Sequence, residues 1–230
     1  MVKGKFFMIA VMSAIVFSVF TSCKKEEEEE DKGVEAEWVD LGLPSGLLWA
    51  TYNIGATAPE EYGQVFGWGE TQSKTEYTWA NYAHGSDPYS LTKYCSDTYY
   101  GFEDYTDNLV SLQASDDAAT VIWKNGARMP TKEECQELIH NCTNVWTTRN
   151  GITGQEFTGP NGNTIFLPAA GYRWGTELDC TRRNGAYWTR SLNGNDPSTA
   201  WYLGFTEDNV YVNFKQRSYG RYVRPVHPAQ

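Results

Sequence analysis

Apolar positions are spaced with two different periods along the chain. Cys135, Leu138, Ile139 and Cys142 recur at i, i+3, i+4 and i+7, which puts them on one helical face turned toward a core. Thr131-Lys132-Glu133-Glu134 just ahead reads as a capping box, in which Thr131 and Glu134 satisfy each other's free backbone donors. A shorter helix is expected over Asp116–Trp123, capped by Ser115, with both aspartates in the first turn where the helix dipole favours them. Elsewhere the period is two. Leu47–Tyr52 and Gln64–Trp68 read as strands separated by the turn Ala58-Pro59-Glu60-Glu61. The C-terminal third reads as an antiparallel meander of Ala186–Leu192, Thr199–Phe205, Asn209–Lys215 and Arg221–Val226, with turns at Asn193–Asp196 and Glu207-Asp208. Trp201, Leu203 and Phe205 share one face, as do Val210, Val212 and Phe214, and all six are expected in the core. Thr71–Leu112 has little periodicity and much Tyr, Ser, Thr, Asp and Gly; irregular segments of that length are functional or mobile.

No repeat of 20–50 residues is present, so residues 38–230 read as a single globular domain. The aromatic share, 15% with 15 Tyr, 10 Phe and 9 Trp, suits a loop-rich, largely β globule better than a helical bundle or a disordered chain, and with the two helices the fold class expected is α+β. Residues 1–22 read as an export signal. Lys3 and Lys5 form its positive end, Phe6–Phe20 its apolar stretch, and Phe20-Thr21-Ser22-Cys23 a lipobox-like site with small residues before the Cys. The apolar stretch is shorter than the ~20 residues a span needs, so cleavage and lipidation at Cys23 are expected, and the lipid is the expected membrane attachment. Residues 23–37 then form a tether, because Glu26–Glu30 and Asp31 repel one another and stay solvated. The chain carries −10, and residues 38–230 still hold 14 Lys and Arg against 21 Asp and Glu. The basic cluster Arg217, Arg221, Arg224 is too small a footprint for nucleic acid.

Several strings occur in a fixed order: Val39-Asp40-Leu41-Gly42-Leu43, Trp49-Ala50-Thr51, Asn53-Ile54-Gly55-Ala56, Gly67-Trp68-Gly69-Glu70-Thr71 and Leu91-Thr92-Lys93-Tyr94. Asp116-Asp117-Ala118-Ala119, Arg128-Met129-Pro130-Thr131, Leu167-Pro168-Ala169-Ala170-Gly171-Tyr172 and Val223-Arg224-Pro225-Val226 complete the set. Together, over Val39–Val226, they resemble the Fibrobacter succinogenes major paralogous domain family of Bacteroidetes lipoproteins. The resemblance implies a C-type-lectin-like fold, related to that of the sulfatase-modifying enzymes, with two short helices packed on antiparallel strands. It implies no activity and no catalytic residues. The acidic run behind Cys23 resembles the surface-export signal of such lipoproteins, which implies the outward face of the outer membrane; the alternative is a plain spacer facing the periplasm.

Candidate chemistry is sparse. Cys95, Cys135, Cys142 and Cys180 could form disulfides in an exported protein. Cys135 and Cys142 lie about 10.5 Å apart along one helix, beyond the ~7 Å a bridge allows. The alternatives are Cys95–Cys135 with Cys142–Cys180, Cys95–Cys142 with Cys135–Cys180, or four buried thiols. Arg128–Glu134 looks like a string of the sulfatase-modifying enzymes, but Cys180 stands alone where those enzymes need a reactive Cys pair, so enzymatic activity of that type is not expected. His84, His140 and His227 lack metal-ligand spacing and read as surface or capping residues. Asp104, Asp107 and Asn108, or Glu207, Asp208 and Asn209, offer calcium-type oxygens, yet turn formation explains both clusters. No metal or cofactor is expected. Tyr89, Tyr94, Tyr99, Tyr100, Phe102 and Tyr105 among small polar residues resemble a binding loop, where aromatic rings give contact area at low entropic cost. The function expected is a surface-displayed, non-catalytic module binding a protein or glycan. The alternatives are an assembly accessory of a surface complex and a diverged enzyme.

Overall fold

Asn150 and Gly151 both take left-handed backbone angles (φ 47° and 81°) and close a two-residue hairpin. That hairpin joins β3 (Thr143–Arg149) to β4 (Ile152–Thr158), and β5 (Thr164–Pro168) pairs antiparallel on the other side of β4. Sequence periodicity left this sheet unassigned. The computed structural model describes Met1 and residues 36–229. Cys23, the export signal and the tether through Glu35 lie outside the described residues.

The fold is α+β, built from small antiparallel sheets and two short helices. β8 (Asn184–Leu192), β9 (Thr199–Thr206) and β10 (Val210–Gln216) form the expected meander. β1 (Trp38–Asp40), β2 (Leu48–Ala50) and β11 (Val226–His227) join the two ends of the described chain in one sheet. β6 (Tyr172–Trp174) and β7 (Glu177–Asp179) form a short ribbon.

The fourth expected strand, Arg221–Val226, is reduced to bridges and the two residues of β11, because Pro225 has no N–H to give a ladder. Gln64–Trp68 likewise contributes one bridge, Phe66 to Arg221, rather than a strand. Thr71–Leu112 contains short 3-10 turns and no strand. It is fastened instead by buried phenols: Tyr77 donates to Val65 O at 2.6 Å and Tyr82 to Trp68 O at 2.6 Å.

Helix α2 (Lys132–Asn141) starts on the expected capping box, with Thr131 Oγ1 accepting from Glu134 N and Glu134 accepting from Thr131 N. Helix α1 (Ala118–Trp123) starts later than expected. Its cap is Asp117, not Ser115: the Asp117 carboxylate accepts from Thr120 N and also from Met129 N, tying the helix start to the segment that leads into α2. Ser115 sits in the 3-10 turn Ala114–Asp116.

The six meander residues do share a face, since Val210, Val212 and Phe214 stand opposite Phe205, Leu203 and Trp201. Only Leu203 and Phe205 are fully buried. Val210 and Val212 are half-buried against α2, and Phe214 is exposed on the edge strand. Trp201 is half-covered by Phe214 and by the Lys132 ammonium, 3.8 Å from its ring, at the start of α2. The helix begins only there, so the last pair on the face has no lid.

Candidate functional site

The aromatic segment is held by its aspartates. Asp87 accepts from Tyr89 N, and Asp97 accepts from Tyr99 N at the start of the turn Thr98–Tyr100. Asp107 accepts from Tyr94 N, Cys95 N, Leu109 N and the Tyr105 hydroxyl. Burial raises the Asp107 carboxyl, but these donors prevail and hold it below its ordinary range. Gly101 is required where it stands, since a Cβ there would lie 1.9 Å from Tyr105 O. Tyr94, Glu103, Asp104 and Asn108 all have left-handed backbone angles, strain that the Asp107 bonds hold in place.

This frame brings Tyr89, Tyr99 and Tyr100 together at the surface. Tyr89 stacks on Tyr100 at 5.7 Å, and Tyr99 meets both edge-on at 5.3 and 5.1 Å. Tyr89 and Tyr99 are 56% and 68% exposed, a large outlay of apolar ring area to water. Phe102 and Tyr105 are exposed as well. Tyr94 departs from the expected set. It is fully buried against Trp68 and His84, donates to Asp116 Oδ2 at 2.5 Å and accepts from Gln113 N. Its place is under the loop, holding it down.

One cavity adjoins the loop and a second lies next to it. Phe102 and Ala83 border the first, a shallow one of about 330 Å³, and Ala83 also borders the second, a larger one of about 440 Å³. The larger one brings together Glu70, Lys74, His84 and Asp116, none of which the sequence reading had placed in a site. The signal was Glu70 within Gly67-Trp68-Gly69-Glu70-Thr71, a carboxylate in an otherwise apolar, glycine-rich string. Glu70 accepts from Ala83 N and Lys74 Nζ, and Asp116 from Lys93 Nζ. His84 is half-buried, neither a surface nor a capping residue. Its Nε2 donates to Gly69 O, and burial, with Arg217 and Lys93 nearby, lowers its pKa and keeps it neutral.

Ser73 and Ser115 also face this cavity, yet neither is bonded to His84: Ser73 Oγ pairs with Tyr77 OH and Ser115 Oγ donates to Asp116. A nucleophile needs a base within hydrogen-bond reach, and these hydroxyls are engaged elsewhere. The four cysteines are unbridged. Burial raises all four thiols, Cys142 to about 11, which suppresses the nucleophilic thiolate. Arg128 forks onto Glu134 and so braces the start of α2, a structural role for that string. Asp107 spends both oxygens on loop donors, and Glu207, Asp208 and Asn209 form the exposed β9–β10 turn. His140 sits exposed in the last turn of α2, and His227 Nε2 lies 2.9 Å from Asn125 O. Comparison with protein-family models, curated proteins and solved structures found no match.

Proposed function

We propose that this chain is a lipoprotein anchored through Cys23 and displayed on the outer-membrane surface, whose C-type-lectin-like globular part binds a protein or glycan without catalysis. The reading rests on the packed, exposed ring cluster Tyr89–Tyr99–Tyr100. Rings facing water on a frame fixed by Asp97 and Asp107 are organised for contact before any ligand arrives, which reduces the entropic cost of binding. The shallow cavity bordered by Phe102 also holds Ser86, Ser90 and Thr92, whose hydroxyls can hydrogen-bond a hydroxyl-rich ligand.

Replacing Tyr89, Tyr99 and Tyr100 together with Ser tests the assignment. The full-length protein and the variant are screened on arrays of glycans and host-surface proteins, with circular dichroism to monitor folding. Loss of the native signal in a folded variant is expected. Retained binding in a folded variant overturns the loop assignment.

A further inference from the structure

Three arginines near the C-terminal end of the chain are buried: Arg217, Arg221 and Arg224. A guanidinium withdrawn from water needs acceptors or a counter-charge. Arg224 has them, donating to Asn53 Oδ1 and to the carbonyls of Ala50, Thr51 and Phe166. Arg217 donates to the carbonyls of His84, Lys93 and Tyr94. Arg221 is different. At 3% exposure its side chain makes no hydrogen bond or ion pair among the described residues; its Nε is buried without an acceptor, as is that of Arg217, but no other nitrogen of Arg221 is bonded in compensation. It lies among aromatic rings, 3.8 Å from the Tyr202 centroid, 4.9 Å from Trp188 and 5.4 Å from Tyr172. The titratable groups around it are phenols, not carboxylates. Burial lowers its pKa to about 10, so it stays a cation at neutral pH.

Arg221 borders a cavity of about 210 Å³ that Tyr202, Tyr211, Asn184 and Lys215 also line. Lys215 adds a second cation, on the exposed rim. Asn184 Oδ1 is buried without a donor. Tyr172, beside the cavity, stacks on Tyr219, and Tyr219 meets Trp174, which is 61% exposed. A strip of rings therefore leads from the surface to the cation.

We propose that this cavity binds the carboxylate of an acidic saccharide of the uronic-acid class. The planar carboxylate accepts a forked pair of hydrogen bonds from Arg221, and Lys215 adds charge from the rim. A ring hydroxyl donates to Asn184 Oδ1, and the sugar's C–H face lies on the Tyr172–Tyr219–Trp174 strip. Sulfate would satisfy the cations but carries no donor for Asn184 and no face for the rings. The site shares no residue with the Tyr89–Tyr99–Tyr100 cluster, so the two assignments stand or fall separately.

The test is titration of the full-length protein with glucuronic acid, galacturonic acid, glucose and triglycine, followed by tryptophan fluorescence and calorimetry. At least one uronic acid is expected to bind, with glucose weaker by about thirtyfold or more for want of the charge. Arg221→Lys, which loses the planar fork, and Lys215→Ala, on the exposed rim, are each expected to weaken binding about tenfold. If Arg221→Lys fails to fold, Lys215→Ala and the comparison with glucose decide. Failure of both acids to bind, affinity equal to that for glucose, or binding unmoved by Lys215→Ala overturns the site. Tighter binding of triglycine than of either acid overturns the saccharide assignment.

Discussion

Arg224 illustrates how much one buried side chain organises here. Its guanidinium, through four acceptors, joins the end of β2 and the neighbouring Asn53 turn to β5, two regions far apart in sequence. Arg224→Met keeps much of the volume but leaves those acceptors buried and unpaired. Its expected cost is on the order of 4 kcal/mol, read as a lower urea midpoint with an unchanged slope. A loss under about 1 kcal/mol would show that water replaces the guanidinium at little cost. Such residues are hard to read from sequence. Arg217, Arg221 and Arg224 look like a small basic cluster, whereas all three are buried. The acceptors of Arg217, and all but one of those of Arg224, are backbone carbonyls, and Arg221 is held among rings, none of which leaves a mark on residue pattern. Tyr94 was concealed in the same way: composition groups it with the loop tyrosines, and only the Asp116 and Gln113 bonds place it inside.

Among the elements, the aromatic loop depends on Asp107. Asp107→Ala deprives three backbone N–H donors of their charged acceptor and is expected to cost on the order of 2 kcal/mol, with lost hydrogen-exchange protection at Tyr94 and Cys95. The folded Asp107 carboxyl lies below its ordinary range, so its contribution is fully present above pH ~4 and is lost as pH falls through the lowered folded value. Protection factors at these amides should therefore drop on acidification in the native protein and be independent of pH in Asp107→Asn. A native protein with pH-independent protection would contradict the linkage. Elements were legible where local chemistry decides them. The capping box of α2 and the strands and turns of the meander needed only neighbouring residues. The hairpin of β3 and β4 was equally local, and Asn150-Gly151 between threonine-rich flanks was the available signal. The segments 64–68 and 221–226 mislead for a physical reason. Their apolar residues are buried by packing around the Phe66–Arg221 bridge, so they look like strands without forming ladders. The start of α1 depends on Met129 N, twelve residues downstream of Asp117, which no local rule reaches.

At the scale of the molecule, consecutive residues of the central segments belong to different cores. Tyr187 and Trp188, Tyr222 and Val223, Val65 and Phe66, and Trp49 and Ala50 each divide between one buried cluster and the other. An extended chain points neighbours to opposite faces, so these segments form a layer buried on both sides. Helix α2 belongs to the first cluster through Cys135 and Leu138, and α1 to the second through Ala118, Ala119 and Trp123. This arrangement also accounts for β8, where the consecutive residues Ala186, Tyr187 and Trp188 are all buried. Neither core can lose its wall while the other keeps it, so both should unfold together. Leu138→Ala opens a cavity in the first cluster, expected to cost about 2–5 kcal/mol. Because the layer is shared, that loss should lower the midpoint of the second cluster equally, whether followed by near-ultraviolet dichroism of the tryptophans or by exchange at Ala119 and Trp123. Coincident transitions shifted by the same amount are the expected outcome. A variant in which α1 keeps its native midpoint while α2 melts early would mean that the two cores unfold independently, despite the layer between them.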